Sequence, residues 1–161
     1  MKMGWSQVQT INHLQLPKGE CMSAKVTKTV KRDQVAAKGL IQPAAMPLVS
    51  KRWGYELWIC NNEKYCGKIL FFKRGHQCSL HGHKIKDEVL YVHEGQCEFR
   101  IHDPTIHEKH EEDTFLLSAG EAWHITPEVL HQMTAVTDVT IFEISTQHFD
   151  SDSYRKEKGT G

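Results

Sequence analysis

The sequence predicts an all-β domain, a sandwich or a barrel, preceded by an N-terminal extension. Short segments rich in β-branched and aromatic residues follow one another from residue 52 onward, and turn residues separate them at intervals of roughly 8–12 residues. Segments such as Cys97–His102 alternate apolar and polar residues, as expected of a strand with one buried face. A chain of 161 residues has the length of about one domain with its own core.

The individual strands follow from local composition. Lys68–Arg74 is an apolar run that Gly75 ends, and Glu88–Gly95 is rich in β-branched and aromatic residues and closes on a Glu-Gly turn. The loop 103–113 is polar and is predicted to be solvated. The remaining predicted strands are Cys78–His83, Cys97–His102, Asp113–Gly120, Ala122–Pro127, His131–Val136 and Val139–Ser145.

Charge and patterning divide the chain into three parts. Residues 1–42 carry seven Lys or Arg and two acidic residues, a net charge of +5, and residues 43–161 carry 13 and 18, a net charge of −5. Pro43 and Pro47 indicate an extended linker before the first strand. We therefore predict a basic extension over 1–48, a β-barrel over 49–149 and a polar tail over 150–161.

Composition excludes several classes of partner. The formal net charge is zero, so no global attraction to nucleic acid or to an anionic membrane is expected, and no run of about 18 apolar residues predicts a membrane helix. The chain has five cysteines, an odd number without a CxxC pair, and no secretory signal is evident. These features predict a cytoplasmic protein with free thiols.

Histidines point to a metal site. His81 and His83 alternate on one strand and so share a face, and a turn at 84–87 brings Glu88 opposite them on the next strand. His131, on a later strand, can reach the same interior if the barrel closes. Three imidazoles and one carboxylate suit Mn, Zn, Fe, Co or Ni and leave one or two coordination positions open, as in catalytic sites. The structural alternative is that His81 and His83 are an incidental pair in a chain with 11 histidines.

The spacing of these residues resembles the cupin superfamily. Gly75-x5-His81-x-His83-x4-Glu88-x6-Gly95 is similar to the first cupin motif, and the segment from Gly120 to His131 is similar to the second. The resemblance implies a cupin double-stranded β-helix, or jelly-roll barrel, with a divalent metal near its centre. The sequence departs from the family pattern at two places. Glu128 and Val129 stand where the family has a glycine after the proline, and Ala135 stands where it has an asparagine.

Strand parity supplies candidates for substrate binding and catalysis. Lys68 has the parity of Leu70 and Phe72, and Glu143 sits in the apolar segment Val139–Ser145, so both can face the interior, the alternatives being an exposed lysine and an edge glutamate. We predict Glu143 and Lys68 as catalytic. Lys68, Ser79, His124 and Arg155 are the predicted substrate-binding residues, Arg155 because its guanidinium fork matches phosphate oxygens. A satisfied strand histidine is the alternative for His124.

A narrower resemblance suggests a reaction. The segment Lys51–Trp58, followed by Tyr65, Lys68 and the His81–His83 strand, is similar to single-domain cupins of the mannose-6-phosphate isomerase type. It implies aldose–ketose isomerisation of a small sugar or sugar phosphate through a metal-stabilised enediolate. Strand parity alone makes Glu143 the candidate base. The alternatives are a non-catalytic sugar- or metabolite-binding cupin and an iron-dependent dioxygenase. Aromatic content and exposed strand edges predict a homodimer.

Overall fold

The computed structural model describes residues 39, 41, 43–108 and 111–159, and every structural statement below concerns that part of the chain. Its regular structure is β, apart from two 3-10 turns at Pro43–Ala45 and Asp150–Asp152. The strands are β1 (Leu48–Lys51), β2 (Gly54–Asn61), β3 (Cys66–Phe72), β4 (Leu80–His83), β5 (Glu88–Glu94), β6 (Gln96–His102), β7 (Asp113–Ser118), β8 (Ala122–Ile125), β9 (Leu130–Ala135), β10 (Val139–Ser145) and β11 (Ser153–Glu157).

The strands form two antiparallel sheets. The six-stranded sheet has the order β1-β2-β3-β10-β5-β8, and the five-stranded sheet has the order β11-β4-β9-β6-β7. Consecutive strands such as β4 and β5 lie in different sheets, so the chain crosses repeatedly between the two layers. The all-β class predicted from the sequence is confirmed.

Alternation along the strands builds the core between the sheets. In β3 every second residue from Cys66 to Phe72 is buried, and β10 shows the same period from Val139 to Ser145. The inward side chains of one half of the barrel are apolar and form a continuous cluster, whereas polar side chains replace them in the other half. Central members of the apolar cluster are Phe72, Leu90, Val92, Phe99, Val139 and Ile141.

The C-terminal boundary of the barrel differs from the prediction. The segment 150–161 is not a separate polar tail, because β11 pairs antiparallel with β4 and Arg155 lies opposite His81. The sequence of β11, SYRKE, lacks an apolar alternation because the strand lies at the edge of its sheet and most of its residues are exposed. At the other end, β1 begins at Leu48, and the predicted extension falls largely on residues outside the described part.

The cysteines of the described part are free thiols. Cys60, Cys66, Cys78 and Cys97 form no disulfide with one another. Burial raises the pKa of the Cys78 thiol to about 12, which keeps it protonated and unreactive at neutral pH. Among the described residues, no helix has the length and apolar character needed to cross a bilayer.

Candidate metal centre and its cavity

The three predicted histidine ligands converge between the sheets. His81 and His83 lie on β4, and His131 lies on β9, directly opposite His81 in the antiparallel register. One ring nitrogen from each residue falls within 4.8 Å of those from the other two. The His81 and His131 ring centroids are 4.3 Å apart. The pairing of β4 with β9 therefore brings together side chains 50 residues apart in the chain.

Backbone carbonyl groups orient two of these rings. Nδ1 of His81 lies 2.9 Å from the carbonyl oxygen of Ser79, and Nδ1 of His131 lies 3.2 Å from that of Val129. A carbonyl oxygen only accepts, so each Nδ1 carries the proton and each Nε2 keeps its lone pair. In metal sites, the histidine ring nitrogen that does not bind the metal commonly donates to a carbonyl oxygen or a carboxylate in this way.

Glu88 supplies a carboxylate beside the imidazoles. Its Oε1 lies 3.2 Å from Nε2 of His131 and 3.7 Å from Nε2 of His83, and the residue is 2% exposed. Nε2 of His83 and Oε1 of Glu88 are both buried without a hydrogen-bond partner. Two buried polar atoms that lack partners and lie 3.7 Å apart are costly unless a cation lies between them. The donor set of three imidazoles and one carboxylate therefore fits a divalent metal ion.

The protonation states of the site also suit a cation. Burial lowers the pKa of His81 well below its ordinary value, and burial together with Lys86 lowers the pKa of His83 to about 4. Burial alone would raise the pKa of Glu88, but the ammonium group of Lys86, in contact with the carboxylate, holds it below the ordinary value. At pH 7 His81 and His83 are thus neutral and the carboxyl group is ionised, which are the forms that bind metal.

A pH dependence of stability follows for the metal-free protein. The pKa of His83 is about 6.5 in the unfolded chain and about 4 in the folded protein. Above pH 6.5 the imidazole is neutral in both states, so its titration does not reduce the free energy of unfolding there. As the pH falls from 6.5 to 4, the unfolded state takes up a proton that the folded state does not, and about 3 kcal/mol is lost. Urea unfolding with a chelator present should show this loss; a flat profile over that range would contradict it. The variant His81→Gln with His83→Gln should be less pH-dependent.

Asp152 fixes the turn between β4 and β5. Its carboxylate accepts hydrogen bonds from the backbone N–H groups of Lys84, Ile85 and Lys86 at 2.9, 3.0 and 3.1 Å. The same carboxylate lies 3.7 Å from Nδ1 of His83. The C-terminal segment, which includes the buried Asp152, thereby orients one metal ligand and the loop that carries Lys86.

Replacing Asp152 with asparagine should weaken metal binding by about 10–100-fold, because the amide leaves the N–H of Lys86 without its acceptor and removes the negative charge 3.7 Å from the His83 ring. Asp150→Asn is the matched control, since its carboxylate lies in the same 3-10 turn but is fully exposed. Competition with a chromophoric chelator gives both affinities. Equal affinities for the two variants would show that Asp152 does not position the site.

A buried network of lysines and carboxylates adjoins the metal centre. Nζ of Lys86 contacts Oε2 of Glu88 at 2.5 Å and Oε1 of Glu143 at 3.0 Å. Nζ of Lys68 lies 3.2 Å from Oε1 of Glu143, and the Ser145 hydroxyl donates to the same oxygen at 3.3 Å. Lys68 and Glu143 therefore both face the interior, as strand parity predicted, and Glu143 is shared by two ammonium groups.

The charges of this network are mutually stabilised. Burial opposes ionisation of Glu143, but Lys86 and Lys68 lower the pKa of its carboxyl group below the ordinary value. Burial likewise opposes the charge on Lys86, and Glu143 and Glu88 outweigh it and raise the pKa of Lys86. Glu143 is consequently ionised at neutral pH and can accept a proton.

Lys68 has two further partners at the cavity wall. Its Nζ lies 3.2 Å from Nδ1 of His148 and 4.4 Å from the centre of the Trp58 ring. Burial and the nearby Lys68 lower the pKa of His148, so its imidazole is neutral and Nδ1 accepts from the ammonium group. These contacts hold the Lys68 side chain in one position within the barrel.

The metal ligands and the network open on one cavity of about 620 Å³. Its wall includes the predicted residues Ser79 and Arg155, the latter exposed on β11. The size is sufficient for a small-molecule ligand. Other basic residues that line the cavity are Lys51, Arg52 and Lys158.

The structure does not bring His124 into this site. Its side chain lies on the outward face of β8, 56% exposed, with Nε2 2.9 Å from Oδ1 of Asp87. It does not line the cavity. Ala122 and Thr126, which share its parity, are small and do not indicate which face of the strand is buried. Its assignment to substrate binding therefore has no support in the geometry of the cavity.

Three residues of the site were not predicted from the sequence. Lys86 lies in a turn, where strand parity gives no direction, and Asp152 and His148 lie in segments without a strand pattern. Lys86 could have been considered from the sequence, because it lies only two residues before the predicted ligand Glu88.

Glu128 lies in the turn of the second motif, where the family pattern has a glycine. Its φ is 72°, in the left-handed region that glycine adopts at low cost. The Glu128 N–H donates to the carbonyl oxygen of His83 at 2.6 Å, and its own carbonyl oxygen accepts from the Tyr154 hydroxyl at 3.1 Å. The turn before His131 is thus preserved by surrounding hydrogen bonds although the glycine is absent.

Comparison with known proteins identifies the fold. No protein-family profile and no curated protein sequence matches the chain. The capsular polysaccharide assembling protein CapF from Staphylococcus aureus is similar in structure, with 18% identity and a TM-score of 0.63 over 75% of this chain and 34% of CapF. Oxalate decarboxylase from Bacillus subtilis shows 16% identity and a TM-score of 0.62 over 71% of this chain and 31% of that protein.

The chain has the cupin fold. Its two sheets correspond to the double-stranded β-helix that the sequence motifs implied, and its histidine cluster lies inside that barrel. The chain spans about a third of the length of each of these solved proteins. A related structure of the Bacillus subtilis decarboxylase concerns its Mn(II) centres.

Proposed function

We propose that this cupin is a metal-dependent enzyme that isomerises a small sugar or sugar phosphate between its aldose and ketose forms. The observation that supports this most is an ionised carboxylate, Glu143, held between two lysines in the same cavity as a buried His3Glu ligand set. Oxalate decarboxylase, which has the same fold, contains Mn(II) centres, and CapF is a capsular polysaccharide assembling protein. By analogy of fold, these proteins support metal-dependent chemistry on a sugar.

The metal and the network would have different tasks. A divalent ion bound by His81, His83, Glu88 and His131 would act as a Lewis acid toward adjacent carbonyl and hydroxyl oxygens. Glu143 would take the proton from the carbon next to the carbonyl and return it to the neighbouring carbon, so no oxidant or reductant is consumed. Lys68 would hold Glu143 in place and donate to a substrate oxygen.

Basic residues at the cavity favour an anionic substrate. Lys51 is paired with Glu56 at 3.0 Å, whereas the exposed Arg155 guanidinium can bind a phosphate through two parallel hydrogen bonds. Positive charge along one cavity also raises the local concentration of a phosphorylated sugar. We therefore expect sugar phosphates to be better substrates than neutral sugars.

A substrate panel tests the proposal. The protein loaded with Mn, Zn, Fe, Co or Ni is incubated with aldoses and aldose phosphates, and the ketose is measured by chromatography. Product formation supports isomerisation. Saturable binding without product across all metals would instead identify a sugar-binding protein, and oxygen consumption with Fe(II) would identify a dioxygenase.

Glu143→Gln should lower kcat on the substrate so found by about 10²–10⁴-fold, because the amide cannot accept the proton. KM and metal content should change little. Glu56→Gln is the matched control, since it makes the same chemical change elsewhere on the cavity wall. A Glu143→Gln enzyme with undiminished kcat would exclude Glu143 as the base.

A further inference from the structure

The cavity extends well beyond the metal centre. Lys68, Leu70 and Phe72 are successive inward residues of β3, and all three line the cavity. Lys68 belongs to the network beside the metal ligands, and Phe72 lies four residues further on, which is about 13 Å along an extended strand. A single sugar bound at the metal ligands occupies the Lys68 end of the cavity and leaves the Phe72 end to a further part of the ligand.

Trp53 lines the Phe72 end of the cavity. Its ring stacks on that of Phe72, with the centroids 3.9 Å apart and the planes inclined by 12°. Its carbonyl oxygen accepts a hydrogen bond from the Lys73 N–H at 2.9 Å, so the backbone and the ring are both held in place. The indole is half-buried, and the cavity wall beside it includes Met133. The part of the indole that Phe72 does not cover is therefore a fixed, flat, apolar surface for a ligand.

Polar side chains line the same end of the cavity. Arg52 lies in the turn between β1 and β2, and Gln77 lies shortly before β4. Lys158 reaches the wall from the segment after β11, which is pressed so closely against the opposite chain that a Cβ atom at Gly159 would lie 2.7 Å from the carbonyl oxygen of Gln77. Neither Arg52 nor Lys158 forms an ion pair with a described residue, so their N–H groups are available to a ligand.

An aromatic surface flanked by such polar groups suits a sugar ring. The C–H groups on one side of a sugar ring pack against the electron-rich face of an aromatic ring. Its hydroxyl groups exchange hydrogen bonds with guanidinium, ammonium and carboxamide groups at the ring edge. A sugar that is isomerised at the metal must open to its aldehyde, so a second sugar has to be joined through a hydroxyl group other than the one at its anomeric carbon. The ligand that fills both ends is therefore a reducing disaccharide.

We propose that Trp53 is the platform of a second sugar subsite, so that the cavity takes a reducing disaccharide with one ring at the metal ligands and the other on the indole. Arg52, Gln77 and Lys158 bind the hydroxyl groups of the second ring. The identity of the first ring rests on the proposed function, whereas the stacking surface rests on the geometry at Trp53. Trp53 thus determines the length of the substrate and takes no part in moving the proton.

Isothermal titration calorimetry of the full chain loaded with Mn(II) tests the second subsite. Cellobiose and maltose are compared with glucose, mannobiose with mannose, and xylobiose with xylose. At least one disaccharide should bind about 10-fold or more tightly than its monosaccharide, because only the disaccharide reaches the indole. Trp53→Leu should abolish this difference while metal content and the affinity for the monosaccharide stay unchanged.

Trp123→Leu is the matched control. Trp123 is also half-buried, but it packs against Phe115, with ring centroids 4.4 Å apart, and does not line the cavity. The preference for the disaccharide should persist in this variant. Arg52→Ala changes an exposed side chain, so it tests the subsite even if Trp53→Leu does not fold, and it should lower the disaccharide affinity about 3-fold or more. Arg74→Ala, at an exposed arginine outside the cavity, should leave it unchanged.

The second subsite and the isomerase activity fail separately. A gain in affinity that depends on Trp53 or Arg52, without any ketose product, would support the subsite and contradict isomerisation. Ketose formed from monosaccharides, with no disaccharide of the panel bound more tightly than its monosaccharide, would overturn the subsite and leave isomerisation standing. The subsite is also overturned if every folded variant of Trp53 and Arg52 keeps the full preference for the disaccharide.

Discussion

Replacing His81 and His83 together with alanine is expected to reduce bound divalent metal from about one ion per chain to less than about a tenth. The two residues supply half of a four-ligand set, and the remaining Glu88 and His131 cannot hold a first-row metal with comparable affinity. Elemental analysis of the purified protein after dialysis measures the effect directly.

The matched control is the double variant His107→Ala with His124→Ala. These histidines lie outside the cavity, paired with Asp113 at 3.1 Å and with Asp87 at 2.9 Å. Their loss should leave metal content unchanged. If the His81 and His83 variant keeps its metal while the control loses it, the metal site lies elsewhere in the protein.

Glu143→Leu is expected to lower the free energy of unfolding by about 3–5 kcal/mol, because it leaves Lys68 and Lys86 buried without their shared carboxylate. The lysine side chains are 3% and 4% exposed, so water cannot replace the lost partner. Urea denaturation in the presence of a chelator isolates this effect from metal binding.

A double-mutant cycle identifies the cause. Lys68→Met in the Glu143→Leu background removes the ammonium group that has lost its carboxylate partner, whereas Lys86 keeps Glu88, and should recover at least about 1.5 kcal/mol. Glu98→Leu, at an exposed outward position of β6, is the control and should cost less than about 0.5 kcal/mol. A cost below about 1 kcal/mol for Glu143→Leu would mean that the network does not contribute to stability as its geometry suggests.

Period-two alternation carried most of what the sequence could predict. It predicts that His81 and His83 share a face and that Lys68 and Glu143 face inward, without any knowledge of strand pairing. In the structure those two residues are indeed register partners. The motif spacing added His131, whose contact with His81 depends on the closure of the barrel and has no local signature.

The parts of the site that escaped prediction lie where alternation does not apply. Lys86 sits in a turn, and its direction is set by Asp152, which binds the turn from 66 residues further along the chain. Strand β11 is polar because it lies at a sheet edge, so its sequence resembles a tail. His124 differs from these residues because it lies on a regular strand. Its neighbours of the same parity are small, so the sequence does not reveal which face of the strand is buried.

An anomalous-difference map from crystals grown with Mn(II) tests the central claim most directly. The account predicts one strong peak in the barrel, about 2.0–2.3 Å from the Nε2 atoms of His81, His83 and His131 and from a carboxylate oxygen of Glu88. A barrel without a peak at saturating Mn(II), or a peak that these four side chains do not touch, would contradict it.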